Sequence, residues 1–155
     1  MSSVNAAMTG KGPFQVLVGA GPHSLILDEP VEVGGEATGP NPFDLLCAAL
    51  ASCTLMTLHL YAARKGWTLD GLRVAVTHEK GLSGQRDRFD RVLELGDVSA
   101  EQRERLLAIA QRCPVDLLLG RGADVTVTLA ENSLPTAAAD CLHAQEMDEL
   151  CNEAG

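Results

Sequence analysis

The longest apolar pattern in the chain runs from Leu45 to Ala63, inside a stretch from Phe43 to Lys65 that holds neither glycine nor proline. Asn41-Pro42 precedes it, and Arg64, Lys65 and Gly66 follow. Asn is a favoured helix N-cap, proline fits the first turn because its missing N–H goes unused there, and glycine is a common stop. The pattern predicts one helix of about 35 Å at 1.5 Å per residue. Its apolarity would suit a membrane span, but Asp44, Ser52, Thr54, Thr57 and His59 interrupt it, and one lone span does not fit the strand-rich remainder. A helix apolar on every side reads instead as the buried centre of a domain or a dimer.

Elsewhere the period drops to two. Leu72–Glu79 and Phe89–Leu95 alternate apolar and polar residues and predict two paired, half-buried strands. Phe14–Val18 and Ser24–Leu27 read as short strands joined by the turn Gly19-Ala20-Gly21-Pro22, and residues 34–40, with three glycines and a proline, as a loop. Ser99 and Gln102 form a capping box that opens an amphipathic helix to about Arg112. Cys113-Pro114 starts a second short helix that Gly120 ends, and Ala123–Leu129 is the last strand. Residues 1–13 are expected to fray, and the Ala-rich acidic stretch after Pro135 is compatible with a helix. The expected organisation is a single domain over residues 1–130 followed by an acidic tail, 131–155.

Composition narrows the function classes. The chain has 155 residues, 46% of them hydrophobic, which excludes disorder over its whole length. Only 3% are aromatic, too few for base-stacking platforms. Of the net charge of −9, six acids and no Lys or Arg lie from Glu131 onward, leaving a body with 15 acids against 12 bases. Such a body offers no electrostatic footprint for nucleic acid. The N-terminus lacks the basic start and apolar run of a signal peptide, and the five cysteines form no C-x-x-C pair. A reducing cytoplasm is therefore the expected compartment, where separated cysteines are either inert core residues or redox chemistry.

Cys53, midway along the long helix, reads on composition as a small buried hydrophobe. Cys47, about 600° of helical rotation away, also reads as core. Cys113 differs, because it immediately precedes a helix-starting proline. Unsatisfied N–H groups and the positive end of the dipole favour thiolate there, and neighbouring Arg112 would add to them. Cys141 and Cys151 lie in the tail, and Cys141-Leu142-His143 matches no zinc spacing, so no metal is assigned.

Two motifs together resemble a known family. Gly39-Pro40-Asn41-Pro42-Phe43-Asp44-Leu45-Leu46, followed by Ala48-Ala49-Leu50-Ala51-Ser52-Cys53, is similar to the signature of the OsmC/Ohr proteins (osmotically inducible protein C and organic hydroperoxide resistance). Arg112-Cys113-Pro114-Val115, sixty residues beyond Cys53, matches the setting of the family's second cysteine. The likeness covers residues 14–129. It implies an α+β fold in which an antiparallel sheet wraps a long central hydrophobic helix, assembled as an intertwined homodimer. It also implies a thiol peroxidase without a cofactor, reducing organic hydroperoxides and itself reduced by a dithiol such as a lipoyl group. No membrane or nucleic-acid partner is implied. Carried over, Cys53 is peroxidatic and Cys113 resolving.

The departures from the family pattern shape the expectation. Family peroxidases pair an arginine from the N-terminal strand region with a glutamate at the helix start. Here no arginine precedes Arg64, only Lys11 and His23 offer a cation, and Phe43 stands where the glutamate would, with Asp44 next. The sequence thus looks closer to the OsmC-like branch. Asp44, His23 and Arg112 remain candidate supporting residues. Asp44 lies nine residues from Cys53, about 13 Å along the helix and about 180° round it, so it would serve Cys53 only from a partner chain or through an intermediary. Equally, it complements the helix macrodipole. His59 lies off the Cys53 face and reads as packing. Without a guanidinium, a buried Cys53 should ionise late, giving activity that is weak at neutral pH and rises toward alkaline pH; a fast rate, flat across pH, would instead mark a cation from the strand-pair region, Arg86, Arg88 or Arg91. The alternative from another class is a non-catalytic binding protein whose apolar cavity near Cys53 holds a lipid or small hydrophobic ligand.

Overall fold

The computed structural model describes residues 2–131, 134 and 142–154, and the fold is α+β with antiparallel sheets and one long helix. The chain divides into two compact units, Met1–Leu45 with Asp124–Leu142, and Leu46–Ala123 with His143–Gly155.

In the first unit, β1 (Asn5–Met8), β2 (Val16–Ala20) and β3 (His23–Leu27) form an antiparallel sheet in that order. The β2–β3 turn is tighter than its glycines suggest. Ala20 pairs with His23, and Gly21 takes the positive φ of +57° that the turn needs. β1 corrects the expectation of a frayed start: its Asn-Ala-Ala-Met sequence has little strand propensity, and pairing with β2 holds it. Buried Asp28 orders the following loop, accepting from the Glu36 and Thr38 amides and, at 2.7 Å, from the Thr38 hydroxyl. A Cβ on Gly39 would collide with the Ile26 carbonyl, so only glycine fits there.

The long helix α1 spans Pro42–Lys65. Asn41 Oδ1 accepts from the Phe43 and Asp44 amides at 2.8 and 3.0 Å, while Asp44 Oδ2 accepts from the Asn41 amide at 3.0 Å. Asp44 thus closes a reciprocal cap.

In the second unit, β4 (Arg73–Glu79) and β5 (Arg88–Glu94) pair with Val76 opposite Arg91 and Val74 opposite Leu93. α2 (Ala100–Ala110) opens on the Ser99–Gln102 capping box, and α3 (Pro114–Arg121) ends at Gly122, with φ +82°, rather than at Gly120. Leu58, Tyr61, Leu106 and Ile109 fill the core with Leu150 and Cys151 from a final helix, α4 (Leu142–Glu153). The tail is therefore docked. Arg64 pairs with Asp148, and Arg105 binds both the Tyr61 hydroxyl, at 2.8 Å, and the Ala154 carbonyl.

Two expectations change. Among the described residues, 123–129 form no strand, and Val125, Val127 and Leu129 stand 89%, 93% and 94% exposed. Their alternation signals a strand, but none of the described residues of this chain forms a ladder with them. Second, α1 is not buried all round: Leu50, Cys53, Thr54, Thr57, Leu58 and Tyr61 are covered, while Leu46 and Met56 are exposed. Among the described residues α1 alone is long and apolar enough to cross a membrane, yet its buried stripe makes it a core helix.

Docking of α4 predicts that Leu150→Ala lowers unfolding free energy by about 2–4 kcal/mol, whereas exposed Gln145→Ala changes it by less than about 0.5 kcal/mol. Urea denaturation followed by circular dichroism measures both. Equal, small effects would mean that α4 is not part of the core.

Candidate active site

Leu50, Cys53, Thr54 and Thr57 recur at intervals of three and four and so share one face of α1. Thr54 donates to the Leu50 carbonyl at 2.7 Å and Thr57 to the Cys53 carbonyl at 2.8 Å, which fixes both hydroxyls against the helix. Cys53 and Cys113 lie together in an apolar shell of Leu50, Val76, Phe89, Val115 and Leu119. Both are free thiols, at 1% and 0% exposure, and each shifts the other's acidity. Sixty residues apart in sequence, they meet because α3 lays its first turn across the middle of α1.

That first turn supplies electrostatics to both sulfurs. Cys113 is the N-cap of α3, and Pro114 has no amide to offer. The next amide, of Val115, donates to Cys53 Sγ at 3.4 Å, and that of Asp116 favours a Cys113 thiolate. These are two of the orphan N–H groups that every helix start leaves.

The cation comes from β5. Arg91 is on the inward parity of the strand with Phe89 and Leu93, and its side chain is only 13% exposed. Its Nη1 donates to Thr54 Oγ1 at 2.9 Å, to the Ala110 carbonyl at 2.8 Å and to Cys113 Sγ at 3.7 Å, and Nη2 pairs with Asp116. Thr54 Oγ1 adds a 3.6 Å contact to the same sulfur. Either atom can donate in that contact while Cys113 is a thiol, but only the hydroxyl can once Cys113 is ionised.

The two thiols are pushed apart in acidity. Cys53 is raised, first by the neighbouring Cys113 sulfur and next by burial. Cys113 is lowered to about 6, chiefly by its interaction with Cys53, against burial, and then by the Asp116 amide, the Thr54 hydroxyl and the Arg91 charge. Of the two, Cys113 is the one with a guanidinium beside it.

Beside this shell lies a pocket of about 290 Å³, whose walls include Leu50, Phe89 and Leu119 together with Arg86, Arg91 and Asp116. Arg86 reaches the Leu119 and Gly120 carbonyls at the end of α3. The apolar cavity expected near Cys53 is therefore a chamber of mixed character, with charge on one side. Among the described residues no group of three or more His, Cys, Asp or Glu could hold a metal.

The other candidates have their own local settings. Asp44 is committed to its cap, His23 begins β3 in the first unit, and Arg112 pairs with Glu153 at 3.4 Å. Cys47 is half-buried rather than core, and Cys151 packs against the Thr57 carbonyl at 3.9 Å. His59 is exposed, and Cys141 lies outside the described residues. Arg91 is one of the three strand-pair arginines that the sequence offers as a replacement cation, whereas Thr54 and Asp116 were missed. A signal for Arg91 was present: an arginine on the apolar parity of an alternating strand must find acceptors inside.

A family model described as OsmC-like protein matches residues 34–128. No curated protein matches the sequence. Among solved structures, the chain is similar to a Psychrobacter arcticus protein described in terms of osmotic stress induction and detoxification response, with TM-score 0.65 and 20% identity over 76% of this chain and 87% of that one. It is also similar to an OsmC-like protein of Mycoplasma pneumoniae, with TM-score 0.62 and 21% identity over 77% and 87%. A third is the organic hydroperoxide resistance protein OhrB of Bacillus subtilis, with TM-score 0.55 and 22% identity over 76% and 88%. At these identities the likeness establishes the fold.

Proposed function

The chain belongs to the OsmC-like protein family, and from that premise we propose that it is a thiol-dependent reductase of organic hydroperoxides, with Cys53 and Cys113 as its redox pair. The observation that carries the reading is the meeting of two free thiols on α1 and the α3 N-cap, with a guanidinium against one of them. A thiolate beside a resolving thiol is the arrangement in which a sulfenic acid condenses to a disulfide rather than over-oxidising. Each turnover converts one hydroperoxide and one external dithiol into an alcohol, water and a disulfide of the dithiol. A reducing cytoplasm and a small dithiol such as a lipoyl group suit the last step, two successive thiol–disulfide exchanges. The mixed pocket beside the pair accommodates an organic group against Leu50, Phe89 and Leu119. Its charged wall argues against a purely apolar ligand.

The working assembly in this reading is a homodimer. Val125, Val127 and Leu129 form a strand-patterned edge almost wholly exposed in one chain, and Leu46 and Met56 leave apolar surface on α1. A second copy would cover both.

Two measurements test the proposal. Cumene hydroperoxide should convert the reduced protein to a form with one Cys53–Cys113 disulfide within a chain, which dihydrolipoamide returns to thiols. Peptide mapping that finds both cysteines still reduced, or bonded only to Cys47, Cys141 or Cys151, would refute the pair. Light scattering at micromolar concentration should give about twice the 16.4 kDa chain mass, and a folded monomer would sink the dimer.

A further inference from the structure

Arg91 is one of three arginines around the pocket beside the thiols, and the balance of charge in that pocket bears on what enters it. We propose that Arg86 selects the substrate: the site takes organic hydroperoxides that carry a carboxylate on a compact carbon skeleton, in preference to neutral ones. The inference rests on the hydroperoxide-reductase reading and deepens it by naming the substrate class.

The pocket walls hold three arginines and two aspartates, and four of these five charges are already matched. Arg91 pairs with Asp116. Arg88 pairs with Glu79 at 2.7 Å and with Asp90 at 2.8 Å. Asp87 meets His78 Nε2 at 2.8 Å and accepts from the Gly81 amide at 3.0 Å, and the amide first, then the histidine, hold its carboxyl below the usual range. Arg86 is different. Among the described residues it forms no ion pair, and its Nη2 donates to the Leu119 and Gly120 carbonyls at 3.2 and 2.7 Å. The end of α3 offers that guanidinium only a partial negative charge. The donors that remain on its planar fork suit a carboxylate.

The turn between β4 and β5 places Arg86. Asp87, next in the chain, ties the turn through the Gly81 amide, and the Gln85 amide closes it on the Leu82 carbonyl at 2.8 Å. A Cβ on Gly81 would lie 2.6 Å from the Arg86 carbonyl oxygen, so this close approach requires glycine. Arg86 is thereby laid against the end of α3 while staying exposed. Leu50, Phe89 and Leu119 belong both to this pocket and to the shell of the thiols, and Arg91, also in the pocket wall, reaches Cys113 Sγ at 3.7 Å. The same pocket therefore offers an unpaired cation, apolar surface for a carbon skeleton and contact with the shell of the redox pair. Its volume of about 290 Å³ is at the small end of ligand sites and suits a compact skeleton rather than a long acyl chain. A neutral hydroperoxide leaves Arg86 to water, whereas a carboxylate adds a charge-assisted hydrogen bond. Because Arg86 is exposed, the gain is modest and sensitive to salt.

Cumene hydroperoxide bearing a para-carboxylate and the methyl ester of the same compound differ by one charge and little else. With dihydrolipoamide as reductant, at neutral pH and low ionic strength, kcat/KM of the full chain should favour the carboxylate by about fivefold, the upper range for an exposed ion pair. The preference should shrink as salt is added. In Arg86→Gln the ratio should fall to about one, and Arg86→Lys, which keeps the charge, should retain part of it. A purely structural role at the end of α3 would change stability and leave the ratio as it is. If the wild type shows no preference or prefers the ester, or if folded Arg86→Gln keeps the wild-type ratio, the inference falls while the reductase reading survives. A hydroperoxide of a long-chain fatty acid that is turned over faster than the para-carboxylate would overturn the compact class. If neither aromatic compound oxidises Cys53 and Cys113, the inference and the reductase reading fall together.

Discussion

Arg91 is a permanently charged group that the fold removes from water, and the site is organised by what that removal requires. A guanidinium left with 13% of its side chain exposed must find acceptors for its donors or destabilise the protein by several kcal/mol. It finds them on three elements: Asp116 of α3, the Ala110 carbonyl that ends α2, and the Thr54 hydroxyl of α1. Each contact pins one helix relative to β5. The fourth neighbour is Cys113, a weak acceptor as a thiol and a good one as a thiolate. Structural satisfaction of the arginine and activation of the sulfur are therefore one arrangement, and the helices that pin Arg91 also bring Cys53 and Cys113 together.

The apolar shell works in two directions. Leu50, Val76, Phe89, Val115 and Leu119 exclude water from both sulfurs, which opposes ionisation of each. The same exclusion strengthens every charge and dipole that remains, so a single guanidinium and one short helix start suffice to favour ionisation of one sulfur over its neighbour. The pair then titrates as a unit, with the charge resting where the cation is. The adjoining pocket continues this mixed character, with Leu50, Phe89 and Leu119 in its walls beside Arg86 and Arg91.

Much of this was legible in the sequence, for physical reasons that differ by element. The caps of α1, the capping box of α2 and the proline that starts α3 are local chemistry, and the structure places all three as read. The β4–β5 pair followed from strict alternation. β1 was invisible because its strand state is owed to pairing with β2 and not to its own residues. Residues 123–129 show the converse: the alternation is in the sequence, but alternation states only that a face needs cover, not which chain provides it. The absence of an arginine before Arg64 suggested a site without the family's cation and left Arg86, Arg88 and Arg91 of the strand-pair region as the replacements to consider. Proximity in space comes instead from a strand 38 residues beyond Cys53 and 22 before Cys113, a distance that no motif spacing encodes. Of those three arginines, only Arg91 is on the inward parity of β5.

The central claim is that Arg91 and the α3 start hold Cys113 as a thiolate at neutral pH, and the pH dependence of Cys113 alkylation is the most direct test. A thiol lowered to about 6 is mostly ionised by pH 7 and gains little above that, whereas an unassisted buried thiol gains about tenfold per unit up to its own pKa. The rate of Cys113 alkylation by iodoacetamide, located by peptide mass and measured from pH 5 to 9, should rise through about pH 6 and level off above about pH 7. A rate that keeps climbing about tenfold per unit from pH 7 to 9 would contradict the account.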